Sequence, residues 1–276
     1  MSKRKAFWIS FALTLGLLIP LYAVALFLGT AGISDPDTPA AGEGVGIAVR
    51  RPDAGDAKNL LVVVQGDQAA FLLLRFDALQ GKCAVAALPA DLPMTREDGE
   101  QTTLAGLEGY AGPGVAAKRI AALLEIEIDH YLSLPQQTLI ELAERMGNIT
   151  VDVSWPELAG RQALLDGQGE RVTLSADGAA ALLERAGEKA GGLRARIYSA
   201  FLLAGMDRLN TLIPDFLRSA SGDLDTDILA TDIYDYQRIL DYLALLQPEM
   251  LFGELTFTET GEPAGESLQL AAQMFR

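Results

Sequence analysis

The sequence predicts an α/β protein: an α/β/α sandwich around a mainly buried mixed sheet, preceded by one N-terminal transmembrane helix. Three observations predict it. Short apolar runs alternate with longer helix-periodic segments from Asn59 onward. Half of the 276 residues are hydrophobic and only 21% are charged, enough to build a sizeable core. Between Ala6 and Ser34 there is no charged residue at all, and Lys3, Arg4 and Lys5 stand directly before that run.

The chain divides into a cytoplasmic tail (1–5), an anchor (6–33), a linker (34–58) and one extracytoplasmic domain (59–276). A bilayer core needs about 20 apolar residues in a helix, and Phe7 to Leu28 supplies them; Pro20 can kink such a helix without excluding it. The leading cations stay cytoplasmic by the positive-inside tendency, which puts the rest outside the membrane. The competing reading is a cleaved signal peptide with Gly29-Thr30-Ala31 near the cut, but a signal h-region is usually only about 7–15 residues. Pro36, Pro39, Pro52 and the glycines at 42, 44, 46 and 55 make the next stretch a tether, with room for a short strand at Val45 to Val49. Its Gly42-x-Gly44-x-Gly46 lacks the strand that a phosphate-binding loop requires.

In the domain, Leu60 to Val64 reads as a strand buried on both faces, as do Phe71 to Phe76 and Cys83 to Leu88. Pro113 to Leu124 is a helix with Pro113 in its first turn, His130 to Leu134 a strand, and Gln136 to Met146 a helix closed by Gly147. Ile149 to Val153 alternates as a half-buried strand. Leu174 to Arg185, Arg194 to Leu212 and Ile233 to Leu246 are helical, and Leu255 to Thr258 is a closing strand.

Composition removes several classes of chemistry. The formal charge is −15, and without the three leading cations the remainder carries 19 basic against 37 acidic residues. Such a surface repels phosphate backbones, which disfavours nucleic acid as the partner. One cysteine, Cys83, excludes an intramolecular disulfide framework and multi-cysteine zinc sites; one histidine, His130, excludes His-cluster metal sites. Cys83 lies in an apolar strand and reads as a buried inert thiol. His130 reads as a packed structural residue. Asp223, Asp225 and Asp227 form D-x-D-x-D, but Ile228 stands at the sixth loop position and Tyr234 at the twelfth, so a solvated or capping turn fits better than a calcium loop. Asn148-Ile149-Thr150 satisfies the glycosylation triplet at a turn-to-strand junction.

Two acids remain. Asp67 follows the first strand in Gly66-Asp67, and Asp91 follows the third in Pro89-Ala90-Asp91. Ligands of open α/β sheets collect beyond the carboxyl ends of strands, and two carboxylates there suit a divalent cation. Asp is also a common turn residue, so both can simply close turns.

The order of these segments resembles the LytR–CpsA–Psr family of bacterial cell-envelope proteins. Leu60 to Asp67 is similar to the family's apolar strand ending in Gly-Ser-Asp, and Phe71 to Asp77 to the strand ending in Arg/His-Ile-Asp. Ala87-Leu88-Pro89-Ala90-Asp91 resembles Ser-Ile-Pro-Arg-Asp. Gly109 to Pro113 is similar to Tyr-x-x-Gly-Gly-Pro, Leu124 to Tyr131 to Gly-Ile-x-Ile-Asp-x-Tyr, and Met146 to Val153 to Gly-Gly-Val-x-Val-x-Val. The resemblance implies a membrane-anchored ectodomain that transfers a glycopolymer from a polyprenyl-pyrophosphate carrier to peptidoglycan, with magnesium and arginines on the pyrophosphate. On that pattern Asp67 and Asp91 would hold Mg2+, and Arg75, Arg96, Arg185, Arg194 or Arg196 would bind the pyrophosphate.

The departures fall where that chemistry should be. The signature arginine is Ala90. The Asp-Thr at the head of the second strand is Ala69-Ala70, the Arg-x-Arg aligns with Glu184-Arg185-Ala186, and the glutamines expected after Arg194-Ala195-Arg196 are missing. Phosphoryl transfer depends on positioned cations to offset developing charge. The pattern therefore favours a lipid-binding or regulatory pseudoenzyme over an active phosphotransferase with a rearranged site, or a ligand-free structural ectodomain. An active enzyme predicts arginines converging with Asp67 and Asp91; a pseudoenzyme predicts an apolar pocket bordered by alanines or acids; a structural domain predicts no deep apolar cavity.

Overall fold

A computed structural model describes residues 51–66, 69–153, 170–187, 190–220 and 222–276. Asp67, the anchor at 6–33 and the strand expected at Val45 to Val49 lie outside the described residues. A single turn of 3-10 helix, Ala54–Asp56, leads into strand β1 (Ala57–Gln65), two residues ahead of the expected domain start. β2 (Ala70–Asp77) and β3 (Lys82–Leu88) follow as antiparallel neighbours, then a small hairpin of β4 (Pro93–Thr95) and β5 (Gln101–Thr103).

Helix α1 (Leu104–Ala111) starts at Thr103, whose hydroxyl accepts from Gly106 N at 3.1 Å. α2 (Pro113–Leu124) carries its proline in the first turn, and β6 (His130–Pro135) returns to the sheet parallel to β1. α3 (Gln136–Met146) ends at Gly147, whose φ of 95° suits glycine. The hairpin of β7 (Ile149–Val153) and β8 (Glu170–Leu174) buries Ile149, Val151 and Val153 and exposes the residues between them. Three helices follow: α4 (Ala176–Ala186), α5 (Gly191–Gly205) and α6 (Leu209–Ser219). Edge strand β9 (Asp225–Thr226), α7 (Ala230–Leu246), β10 (Glu249–Glu254) and α8 (Gly265–Phe275) complete the described chain.

The main sheet has the order β10-β3-β2-β1-β6-β9, with β1/β6 and β3/β10 parallel and the other pairs antiparallel. Alternate residues of the central strands point to opposite faces. Leu60, Val62, Val64, Leu72, Leu74 and Val85 pack under α3, α5, α6 and α7. Leu61, Val63, Phe71, Leu73 and Ala86 pack over α1, α2 and α8. Both faces being covered explains why these strands read as continuous apolar runs. The α/β/α sandwich around a mixed sheet is as expected. Among the described residues no helix is long and apolar enough to cross a membrane.

Two expectations shift. The helix expected over 194–212 is two helices that turn at Met206 to Arg208. A Cβ on Gly205 would lie 2.9 Å from Met146 Cγ, so the last turn of α5 sits close against α3, and Arg208 Nη2 donates to the Met146 carbonyl at 2.9 Å. The closing strand runs over 249–254, not 255–258, because Gln247 takes a left-handed conformation (φ 50°) and ends α7 two residues before β10 begins.

Candidate functional site

β1 and β3 run in the same direction on either side of β2, so their carboxyl ends share one end of the sheet. Val64 pairs with Ala70, and Leu88 with Phe71, at that end. Two strand spacings put the two ends on the order of 10 Å apart. Asp91 is exposed in a turn closed by Leu92 N donating to the Pro89 carbonyl at 3.3 Å.

Two cavities lie between the sheet and the helices on its α3/α5 face. The outer one, about 420 Å3, opens at the carboxyl end of β1. It is bordered by Val64, Ala70, Gln136, Ala176, Ala179, Ala180, Glu184 and Arg194. The inner one, about 110 Å3, is lined by Leu60, Val62, Leu74 and Phe76 of the sheet, Leu142 and Met146 of α3, Leu202 of α5, Ile213, Phe216 and Leu217 of α6, and Tyr236 of α7. Leu139, Ala143, Tyr198 and Phe201 border both cavities, so the two adjoin. The helix spacing that builds the outer wall is local sequence: Ala176, Ala179, Ala180 and Leu183 recur at three and four residues along α4.

The arginines separate into distinct roles. Arg194 is buried, 8% exposed, and borders the outer cavity without a hydrogen bond or ion pair to any described residue. It stands in the first turn of α5, where the helix dipole favours an anion and disfavours a cation. Arg196, two residues on, donates to the Asp152 carbonyl at 2.6 Å and lies 5.9 Å from the Phe252 ring, outside the cavity lining. Arg185 is exposed in the last turn of α4 and does not line the outer cavity.

Arg75 belongs to the opposite end of the sheet, paired with Asn59. It donates to Asp77 Oδ2 from Nη2 (2.7 Å) and Nε (3.2 Å), and from Nη1 to Asn59 Oδ1 and the Phe275 carbonyl (both 3.1 Å). Arg96 pairs with Asp98 (2.9 Å) and Glu100 (2.6 Å) across the β4–β5 turn and stacks 3.5 Å from the Tyr110 ring centre. Of the five arginines expected to bind pyrophosphate, the fold brings Arg194 alone to a cavity at the carboxyl end of β1.

Magnesium would need a donor set at the strand ends. Asp91 offers one described carboxylate; Ala69 and Ala70 offer only backbone oxygens where the family pattern has Asp-Thr. Among the described residues no group of three His, Cys, Asp or Glu side chains converges. Asp67, the second acid expected to hold magnesium, lies outside the described residues.

The remaining titratable groups near the core are structural. Burial pushes the Tyr198 phenol up to about 12 and raises Tyr236, whose hydroxyl has no hydrogen-bond partner among the described residues. Cys83 is fully buried and its thiol is pushed up to about 12 by desolvation. It should therefore resist iodoacetamide at pH 8 in the folded protein and react in denaturant; equal rates in both states would contradict the buried assignment. His130 packs on the Tyr236 ring, with Nδ1 3.6 Å from Asp227, and Asp227 accepts from Tyr131 N at 2.8 Å.

No protein-family model matches the sequence, and no curated protein matches it. Solved structures do match its fold. A Eubacterium siraeum protein superposes with a TM-score of 0.64 at 16% identity, over 86% of this chain and 98% of that one. TagT, solved bound to LIIa-WTA, superposes at 0.59 and 16% identity, over 86% and 96%. The chain has the LytR–CpsA–Psr fold. A transcriptional regulator from Enterococcus faecalis superposes at 0.57 and 15% identity, over 81% and 90%.

The strand-end acids and the apolar sheet of the LytR–CpsA–Psr fold are visible in the sequence. The alanine-rich wall on α4 and the paired cavities are not, since their residues look like any core residues.

Proposed function

We propose that this chain is a membrane-anchored cell-envelope protein with an eroded active site, binding a polyprenyl-linked glycan or related lipid without turnover. The N-terminal helix would hold it in the cell membrane with its domain outside, next to peptidoglycan. One observation carries the reading: an apolar cavity backs onto an outer cavity bordered by Ala70, Ala176, Ala179 and Ala180, with Glu184 at its border and with Arg194, which has no partner among the described residues, as its cation. The inner cavity suits a hydrocarbon tail and the outer one an anionic headgroup held by Arg194. A likeness to TagT, itself solved bound to LI-WTA as well as LIIa-WTA, points to the same ligand class.

Charge stabilisation is the deficient part. A single preorganised donor removed from an oxyanion site costs about 2.7–4 kcal/mol elsewhere, and here Ala90, Ala69 and Ala70 replace several groups together. The active alternative would need Arg75 and Arg96 to leave their present carboxylate partners.

The inner cavity is of the order of one that admits a benzene ring, about 150 Å3, so a longer chain must part α3, α5 and α6. Ala143→Phe, on the wall common to both cavities, would fill that path. Expected is saturable binding of polyprenyl phosphate by the full chain, weakened at least tenfold in Ala143→Phe while the circular-dichroism melt stays cooperative. Equal binding by both proteins would overturn the assignment of the cavity.

A further inference from the structure

The end of the sheet opposite the cavity mouth carries an apolar cluster that the cavity reading does not use. Leu79, in the β2–β3 turn, is 55% exposed; Leu245 and Leu246, closing α7, are 79% and 54% exposed. Gly81 ties the two segments together: a Cβ there would lie 3.9 Å from Leu246 Cδ1, and the Gly81 carbonyl accepts from Glu249 N at 2.9 Å. Both segments are uncharged, from Ala78 to Gly81 and from Tyr242 to Pro248.

This is also where the chain enters the domain. Ala78 N donates to the Asp56 carbonyl at 3.0 Å, one residue before Leu79, and Arg238 of α7 holds the Asp56 carboxylate at 2.9 Å. Sixteen residues separate Ser34, the end of the charge-free N-terminal run, from Arg51, where the described domain begins. Read as a linker, a stretch of that length would limit the distance between this end of the domain and an anchor in the charge-free run.

We propose that Leu79, Leu245 and Leu246 insert into the outer face of the lipid bilayer that holds the N-terminal segment. The proposal rests on the membrane-anchored reading. Exposed leucines with no charge between them gain from the acyl boundary what they lose in water. Docked this way, the inner cavity, which begins at Leu60 and Phe76 near the same sheet end, runs from the bilayer side toward Arg194. The outer cavity then faces away from the membrane.

The buried Cys83 leaves single introduced cysteines as the sites for an environment-sensitive fluorophore. Full-length Leu245→Cys and Leu79→Cys would be labelled and reconstituted in phosphatidylcholine vesicles. Gln137→Cys serves as the reference: Gln137 is exposed at the start of α3, just beyond Pro135, which pairs with Gln65. At about 3.3 Å per residue, β1 puts it on the order of 25 Å from the leucine cluster. The proposal expects blue-shifted emission, quenched by nitroxide lipid, at Leu245 and Leu79, and iodide quenching at Gln137. Labels at Leu245 and Leu79 that behave like the one at Gln137, in a chain that co-sediments with vesicles, would overturn the docking and leave the anchor standing. A chain that does not co-sediment would overturn both.

Discussion

Replacing Arg75 by alanine should cost about 3–5 kcal/mol of stability, because it leaves a buried carboxylate without its cation. Asp77 is 2% exposed and takes two hydrogen bonds from the Arg75 guanidinium, with a third from Gln80 N at 2.8 Å. The same guanidinium satisfies Asn59 Oδ1 and the Phe275 carbonyl, so it fastens the start of β1 and the end of α8 to β2. Domains are stable by only about 5–15 kcal/mol, so this is a large fraction, and the urea midpoint should fall steeply. Lysine at 75 should rescue only part of it, since an ammonium cannot reproduce the fork. A pyrophosphate ligand would behave in the opposite way: an unchanged midpoint and weakened headgroup binding in Arg75→Ala would return Arg75 to the site.

Arg194→Met should give that opposite pattern. Its charge is buried in the first turn of α5 with no described hydrogen-bond or ion-pair partner, so its removal relieves a desolvated cation in a place the helix dipole disfavours. The urea midpoint should hold or rise. Hydrogen bonds to charged groups contribute about 1.5–3 kcal/mol each, so affinity for polyprenyl pyrophosphate should drop about ten- to a hundredfold for one lost contact. Affinity for the uncharged polyprenol should not change. Equal losses for the alcohol and the pyrophosphate would show that the variant damages the cavity and not the headgroup contact.

These two arginines show what a sequence can and cannot carry. Strands β1 to β3 were legible because both faces of the sheet are covered, leaving continuous apolar runs, and α2 and α3 because Pro113 and Gly147 punctuate them. The break between α5 and α6 was not, since the periodic Leu209 stays fully buried beyond the corner. Helices α1 and α8 and strands β4, β5, β8 and β9 are short or weakly periodic and gave no usable signal. The β10 register was hidden because Leu255, also fully buried, continues its apolar run by one residue.

At the site, the rule that ligands gather beyond strand ends picks out the end of the sheet where the outer cavity opens. It cannot sort the arginines. Arg75 and Arg194 are both embedded in apolar segments; only the fold shows that the first faces Asp77 and Asn59 while the second faces a cavity. The cavity itself is built from Leu, Ala and Phe residues indistinguishable in sequence from packed core.

The measurement that tests the account most directly is a single-turnover assay with the full chain, magnesium, a short polyprenyl-pyrophosphate glycan and a peptidoglycan acceptor. Bound glycan lipid and released polyprenyl phosphate would be followed together. The account predicts saturable binding dependent on Arg194 and no release of polyprenyl phosphate. Magnesium-dependent release that disappears in Asp67→Ala and Asp91→Ala would contradict it and make the protein a working transferase.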